Sequence, residues 1–431
     1  MKLYYGNETK KAMQAFDFSS RSVDKEFIYS ITQIKKASCI ANFKTGRIDK
    51  KMMSAILKVS DEILLGKLEN NFKLKYLQGG AGTAINMNVN EVIAKKGTEI
   101  LKNEINPNDH VNISQSTNDV NPSATKITLV NLNKKLIYSL DLLINSLDKK
   151  SKEFKNIKKL GRTHLQDAIP TTLGLEFSSY KEIVLSHKKN ILNTSKNLYE
   201  LNMGGTAIGD QTNADFKYKE YFYKELNKIT KENFRPAKNL MSKTSSQSDI
   251  LFYSQSITAL CASLSKIAND LRFMSSGPKG GLQEIVLPEV LKGSSIMPGK
   301  VNPVYPETIN QLYFVISGNN LTIEKSEEAG QMELNVMGPT ITNKIIETTK
   351  LVSEVLGSFS KNCVSKIKAN KEKCLEHLEN STALSTKLMK KLKYGEIEKI
   401  VKKSLEEKIS FKEACIKSGL LNEKEFNKLT K

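Results

Sequence analysis

Residues 123–160 contain neither glycine nor proline, and Leu129, Leu132, Leu136, Leu140, Leu143 and Leu147 recur within them at spacings of three and four. That spacing places the six leucines on one face of a long helix. A single helix over the stretch would be about 57 Å long at 1.5 Å per residue. Such a rod cannot bury its stripe alone, so partner helices are required. Residues 175–203, 237–276, 307–329 and 340–392 are further long segments poor in helix breakers, with Gly318 and Gly357 as interruptions. All ten prolines lie between Pro107 and Pro339, and strand-like runs are sparse and short. The pattern predicts a mainly helical protein built on a central bundle of long helices, of the kind that associates across subunits. Beyond about residue 369 the chain is rich in Lys and Glu and reads as a small separate domain of short amphipathic helices. Within it Gly419-Leu420-Leu421-Asn422 reads as a helix end followed by a new N-cap.

Polar or glycine-rich segments separate the long helices, and such loops on a rigid scaffold are where chemistry concentrates. Gln78-Gly79-Gly80-Ala81-Gly82-Thr83 lacks the spacing of a nucleotide P-loop and reads as a tight loop at a helix start, bringing Thr83 and amide donors near an anion. In Asn106–Asp119, capping explains one or two of the small polar residues. It does not explain Ser116, Thr117 and Asn118 in a row, which at a helix N-terminus form a neutral donor set for a carboxylate. Gly161-Arg162-Thr163-His164-Leu165-Gln166 carries one of the four histidines; taken alone, that histidine is more often structural than catalytic. Gly293-Ser294-Ser295-Ile296-Met297-Pro298-Gly299-Lys300-Val301-Asn302-Pro303 suits a loop that folds over a ligand, with hinges at Gly293 and Gly299 and polar tips at Ser294, Lys300 and Asn302.

Composition narrows the partners. The 431 residues carry 66 basic and 46 acidic side chains, a net charge of +20. Only five of the basic residues are arginine, and the lysines are spread along the whole chain rather than clustered. Specific phosphate and base recognition favours the arginine fork, so a dedicated nucleic-acid role is not expected. No window approaches about 18 consecutive apolar residues, which argues against a membrane span. The N-terminus has no apolar secretory core. The five cysteines show neither a zinc nor a disulfide pattern, and the histidines show no metal-binding spacing. The expectation is a soluble cytoplasmic protein with reduced thiols.

The four segments, in this order, resemble the aspartase/fumarase superfamily, whose signature G-S-S-x-M-P-x-K-x-N-P is matched by residues 293–303. The resemblance extends over nearly the whole chain. It implies a mainly α-helical, three-domain fold, here 1–115, 116–369 and 370–431, with a central long-helix bundle forming a twenty-helix homotetramer core. It also implies active sites shared by three subunits. The implied chemistry is elimination from a small dicarboxylate to give fumarate through an aci-carboxylate intermediate, without metal or organic cofactor. Ser294 is then the base, assisted by loop amides and Lys300. Lys300 and Asn302 contact substrate. Thr83, Ser116, Thr117, Asn118, Thr163 and His164 hold the carboxylates and the leaving group, and Glu307 pairs with His164.

Two features resemble the aspartase branch rather than the class II fumarase branch. They are Asn302-Pro303-Val304-Tyr305-Pro306-Glu307, where fumarases resemble N-P-T-Q-C-E, and Ala329-Gly330-Gln331 leading to Leu334-Asn335-Val336-Met337, where fumarases resemble S-G-N-F-E-L-N-V-F. Aspartate with fumarate and ammonia is therefore the expected reaction. Malate/fumarate hydration and a non-catalytic family member are the alternatives. The chain departs from the family pattern at Glu8 and Lys11, at Lys279 after Gly277-Pro278, in its short start before Tyr4 and in its short C-terminal domain. Rate or stability is expected to differ there.

Overall fold

A computed structural model describes residues 2–291, 293 and 296–430. Its long helices are Thr117–Glu153, Leu173–Ser195, Ser248–Met274, Val304–Glu328 and Gly338–Asn362. All six leucines of the stripe are buried, as the spacing required.

The boundaries differ instructively from the pattern. The first long helix begins at Thr117, upstream of Pro122, which lies inside it. Proline has no N–H to offer the carbonyl four residues back. That carbonyl, on Asn118, instead accepts from Asn202 Nδ2 at 3.0 Å. The helix stops at Glu153, and residues expected to continue it form strand Lys158–Thr163. This strand pairs antiparallel with Gln166–Thr172. Gly174 permits the return: a Cβ there would lie 2.5 Å from the Ser151 carbonyl oxygen. The 237–276 segment is interrupted at Ser246, whose extended backbone separates helices Leu240–Ser245 and Ser248–Met274. The 340–392 segment divides into Gly338–Asn362, Lys371–Glu379 and Ser385–Leu388.

The chain forms two compact units, Met1–Tyr138 with His187–Cys261 and Leu312–Ser353, and Ser139–Ser186 with Ala262–Gln311 and Glu354–Lys431. In the first, helix Lys25–Lys44 packs on Lys50–Leu64 and Tyr218–Thr230. Phe27, Ile28, Ile31 and Ile34 are buried, and the buried Tyr218 hydroxyl donates to Ser38 Oγ at 2.8 Å.

In the second unit, Leu160 of the hairpin joins a hydrophobic cluster with Leu378, Leu388, Ile400, Phe411 and Phe426. The root of the hairpin therefore shares a core with the C-terminal helices. Beside it lies Glu284, whose side chain is fully buried. Its carboxylate meets Lys159 Nζ at 2.7 Å, Arg162 Nη1 at 2.8 Å and His377 Nδ1 at 3.1 Å. Burial pushes the Glu284 carboxyl up, but Lys159, then Arg162 and His377, outweigh it and hold the group below its ordinary pKa. Its backbone oxygen accepts from Asn370 N at 2.9 Å, so one residue grips both the hairpin and the start of the C-terminal helices.

Candidate active site

The candidate residues fall in three clusters, each built locally. The first lies in the first unit. The glycine-rich segment forms a tight turn at Gly80–Gly82, and helix Thr83–Leu101 starts directly after it. Gly82 has φ +78°, and a Cβ there would meet Asn121 Nδ2 at 2.8 Å, so the approach to the Thr117–Glu153 helix depends on glycine. Thr83 is exposed at the helix start, and its hydroxyl donates to the Gly80 carbonyl at 2.7 Å. Ser116 caps the long helix: its hydroxyl accepts from Asn118 N at 3.2 Å. Its own N–H donates to Asp119 Oδ1 at 2.9 Å. Thr117 Oγ1 accepts from Asn86 Nδ2 at 3.3 Å, and Asn118 Nδ2 donates to the Ala207 carbonyl at 2.8 Å. Hydroxyls, an amide and a helix N-terminus thus stand together, a neutral arrangement suited to a carboxylate.

The second cluster is the tip of the hairpin in the second unit. Arg162 pairs with Asp167 and Thr163 with Gln166, leaving His164 and Leu165 as the two-residue turn. Both have positive φ, 55° and 62°. Tight hairpin turns of this kind favour glycine and asparagine. A histidine and a leucine held left-handed cost of the order of 1–3 kcal/mol each, and such positions cluster at functional sites. Thr163 and His164 are exposed. Among the described residues no hydrogen bond joins His164 to Glu307.

The third cluster is the loop before helix Val304–Glu328. Ser294 lies outside the described residues. At the base of the loop Asn302 Nδ2 donates to the Gly293 carbonyl at 2.6 Å. A Cβ on Gly293 would sit 1.8 Å from the Lys300 carbonyl oxygen, so no other residue fits without opening the loop. Lys300 is exposed, and so are the apolar Ile296, Met297 and Val301. Glu307 is half-buried in the first turn of the helix that follows.

Three features escaped the sequence reading. Segment 202–209 lies against Ser116–Asn118, and its Gly204-Gly205 and Gly209 were a readable signal. Lys35, beneath the same turn, looks like any other of the many lysines. Glu284 anchors the hairpin through Arg162. Among the described residues no group of three or more His, Cys, Asp or Glu side chains could hold a metal ion, and no helix is long and apolar enough to cross a membrane.

A family model described as Lyase matches residues 2–318. An aspartate ammonia-lyase of a Bacillus species is 41% identical, the match covering 99% of this chain and 92% of that one. A class II fumarate hydratase of Campylobacter jejuni is 39% identical, covering 99% and 93%. The solved structure of a fumarate lyase:delta crystallin from Brucella melitensis superposes with a TM-score of 0.97 at 36% identity, over 100% of this chain and 95% of that one. The chain belongs to the lyase family that contains the aspartate ammonia-lyases and class II fumarate hydratases, and it has their mainly helical fold.

Proposed function

We propose that this lyase is an aspartate ammonia-lyase, converting L-aspartate reversibly to fumarate and ammonia. The observation that carries the choice over malate is the run Asn302-Pro303-Val304-Tyr305-Pro306-Glu307. Pro306 falls in the first turn of helix Val304–Glu328, where a missing N–H leaves no helical bond unmade.

The reaction removes the proton from the carbon next to one carboxylate, leaving an aci-carboxylate dianion. The carbon–nitrogen bond then breaks, its electron pair leaves on nitrogen, and the double bond of fumarate forms. The proton next to a carboxylate is weakly acidic, so fixed donors must stabilise the added charge. In this reading Ser294 takes the proton, with Lys300 and loop amides favouring its alkoxide. Lys300 and Asn302 contact the substrate. Thr83, Ser116, Thr117 and Asn118 hold one carboxylate, and Thr163 and His164 hold the other end and the amino group. Glu307 orients His164.

The three clusters come together between chains of a homotetramer, each site drawing on three subunits. The exposed tip at His164 supports this, as do Phe314 and Leu321, exposed one heptad apart on the Val304–Glu328 helix. A central bundle of 116–369 between flanking domains 1–115 and 370–431 belongs to the same proposal. The required partners are small dicarboxylates alone, with no metal or organic cofactor, and the proposed location is the cytoplasm.

The test is fumarate formation, followed by its ultraviolet absorbance, with L-aspartate and L-malate offered separately. Fumarate with ammonia from aspartate alone supports the proposal. Fumarate from malate alone makes the protein a fumarate hydratase, and silence with both favours a non-catalytic relative.

A further inference from the structure

We propose that Lys35 and Asp119 are positioning residues for the carboxylate-binding turn, a buried and charge-balanced pair that fixes Ser116, Thr117 and Asn118 from behind without touching substrate. This rests on the reading above that the turn binds a carboxylate.

Lys35 lies in helix Lys25–Lys44 between Ile31, Ile34, Ala37 and Ser38, and it is 0% exposed. Lysine is almost never fully buried unless paired. Its Nζ donates to Asn112 Oδ1 at 2.8 Å and to Gln115 Oε1 at 3.0 Å, both neutral acceptors. These residues lead directly into Ser116. Asp119, also 0% exposed, follows directly after Asn118. Asp119, whose own oxygens are held by backbone N–H groups, acts on Lys35 through space as the nearby opposite charge. Burial pushes Asp119 up to about 7 against three backbone donors and Lys35, and burial pulls Lys35 down to about 7 against the attraction of Asp119.

An ordinary capping role accounts for only half of what Asp119 does. Its Oδ1 accepts from Ser116 N, as in any capping box. Its Oδ2 accepts from Gly204 N at 3.2 Å and Thr206 N at 2.9 Å, in a segment far along the chain. The same segment receives Asn118 Nδ2 on the Ala207 carbonyl and supplies Asn202 Nδ2 to the Asn118 carbonyl. On the other side, Asn112 Oδ1, held by Lys35, also accepts from Asn86 Nδ2 at 3.1 Å, and Asn86 reaches Thr117 Oγ1. Each of the three donors is thereby fixed from behind: Ser116 through Asp119, Thr117 through Asn86, and Asn118 through the 202–207 segment. Around this turn Asn86 Oδ1, Asn90 Oδ1, Asn121 Oδ1 and Thr206 Oγ1 are buried without a partner among the described residues, a polar surplus that stability alone does not call for.

The charge balance has a functional reason. An uncompensated carboxylate behind a turn that receives an anion would repel it. With the buried Lys35 acting on Asp119 through space, that repulsion is offset and the positive end of the Thr117–Glu153 helix can act on the ligand.

The test measures fumarate affinity by calorimetry together with KM and kcat for L-aspartate, on the full chain. Lys35→Met and Asp119→Asn change volume little. Each is expected to weaken fumarate binding and raise KM about tenfold or more, the scale of a lost charged hydrogen bond, with kcat changed less. The double variant removes both charges. It is expected to fold and to bind more tightly than the product of the two single losses predicts, because neither charge is left unpaired. Affinity within about twofold of wild type in both folded single variants, strictly multiplicative losses in the double variant, or kcat falling with KM unchanged would each overturn the proposal. Because the binding readout needs no turnover, a wild-type protein that binds fumarate but does not release it from aspartate defeats the functional reading while leaving this one under test.

Discussion

Replacing Glu284 by glutamine keeps its shape and removes one charge from a fully buried side chain, next to the buried Lys159 and the partly exposed Arg162 and His377. The carboxylate faces Lys159, Arg162 and His377 at 2.7, 2.8 and 3.1 Å. Lys159 keeps a second partner in Glu176 at 2.9 Å, whereas Arg162 loses its only ion pair among the described residues. Removing one partner from a buried ion pair costs about 3–5 kcal/mol, mainly because the remaining charge stays buried. With about 2.1 cal/mol/K of unfolding entropy per residue, a chain of this length melting as a whole loses about 3–6 °C in Tm. The assay is a melt followed by far-ultraviolet circular dichroism at fixed heating rate, with Glu289→Gln, an exposed position in the same segment, as control. The pH dependence has a definite sign. The folded-state pKa of Glu284 is held below its ordinary value of 4.5, so its contribution is fully present above that pH and is lost as pH falls through the depressed folded value. The gap between wild type and Glu284→Gln should therefore be widest near neutrality and close in acid. A Tm loss under about 1 °C near neutral pH, no larger than ordinary surface substitutions give, or a gap that does not narrow on acidification, would show that the Glu284 charge does not hold this cluster together.

Further outcomes follow from the same geometry. Gly293→Ala forces the base of the 293–303 loop apart, because its Cβ would lie 1.8 Å from the Lys300 carbonyl oxygen. Steady-state kinetics should show kcat/KM for the preferred substrate falling at least about tenfold while the melting curve hardly moves, the loop adding few buried contacts. Leu160→Ala leaves a cavity in the core that the hairpin shares with the C-terminal helices; denaturant unfolding should register a loss of about 2–5 kcal/mol. All five cysteines are buried and free, and burial raises each thiol, to about 12 for Cys261, Cys363 and Cys374. A colorimetric thiol reagent should therefore label the native protein slowly and the unfolded protein at once.

The long helices were legible because leucines at spacings of three and four leave few alternatives, and all six are buried. A helix N-terminus near Ser116, Thr117 and Asn118 was legible because small polar residues favour such positions. Pro122 obscured where that helix begins: its rejection from a helix interior is a local rule, and the Asn202 side chain that serves the freed Asn118 carbonyl comes from elsewhere in the chain. Residues 158–160 continued the breaker-free pattern, yet their fate was decided by strand pairing with Gln166–Thr172 and by the core around Leu160. Lys35 and Glu284 left no trace because burial of a charge is a property of the assembled fold. The candidate residues themselves were read through family resemblance to four loops. The fold explains why those loops can present them: a glycine-dependent turn at Gly82, a left-handed turn at His164 and a closed loop base at Gly293.

The most direct test of the central claim is a side-by-side measurement of fumarate and ammonia released from L-aspartate by the wild-type protein and by Ser294→Ala, with fumarate affinity determined for both. Wild type should release equal amounts of the two products, and the variant should lose turnover by roughly a hundredfold or more, the lower end of what a positioned base contributes, with fumarate binding retained. Unchanged turnover in Ser294→Ala would contradict the assignment of the base, and fumarate appearing without ammonia would contradict the carbon–nitrogen elimination itself.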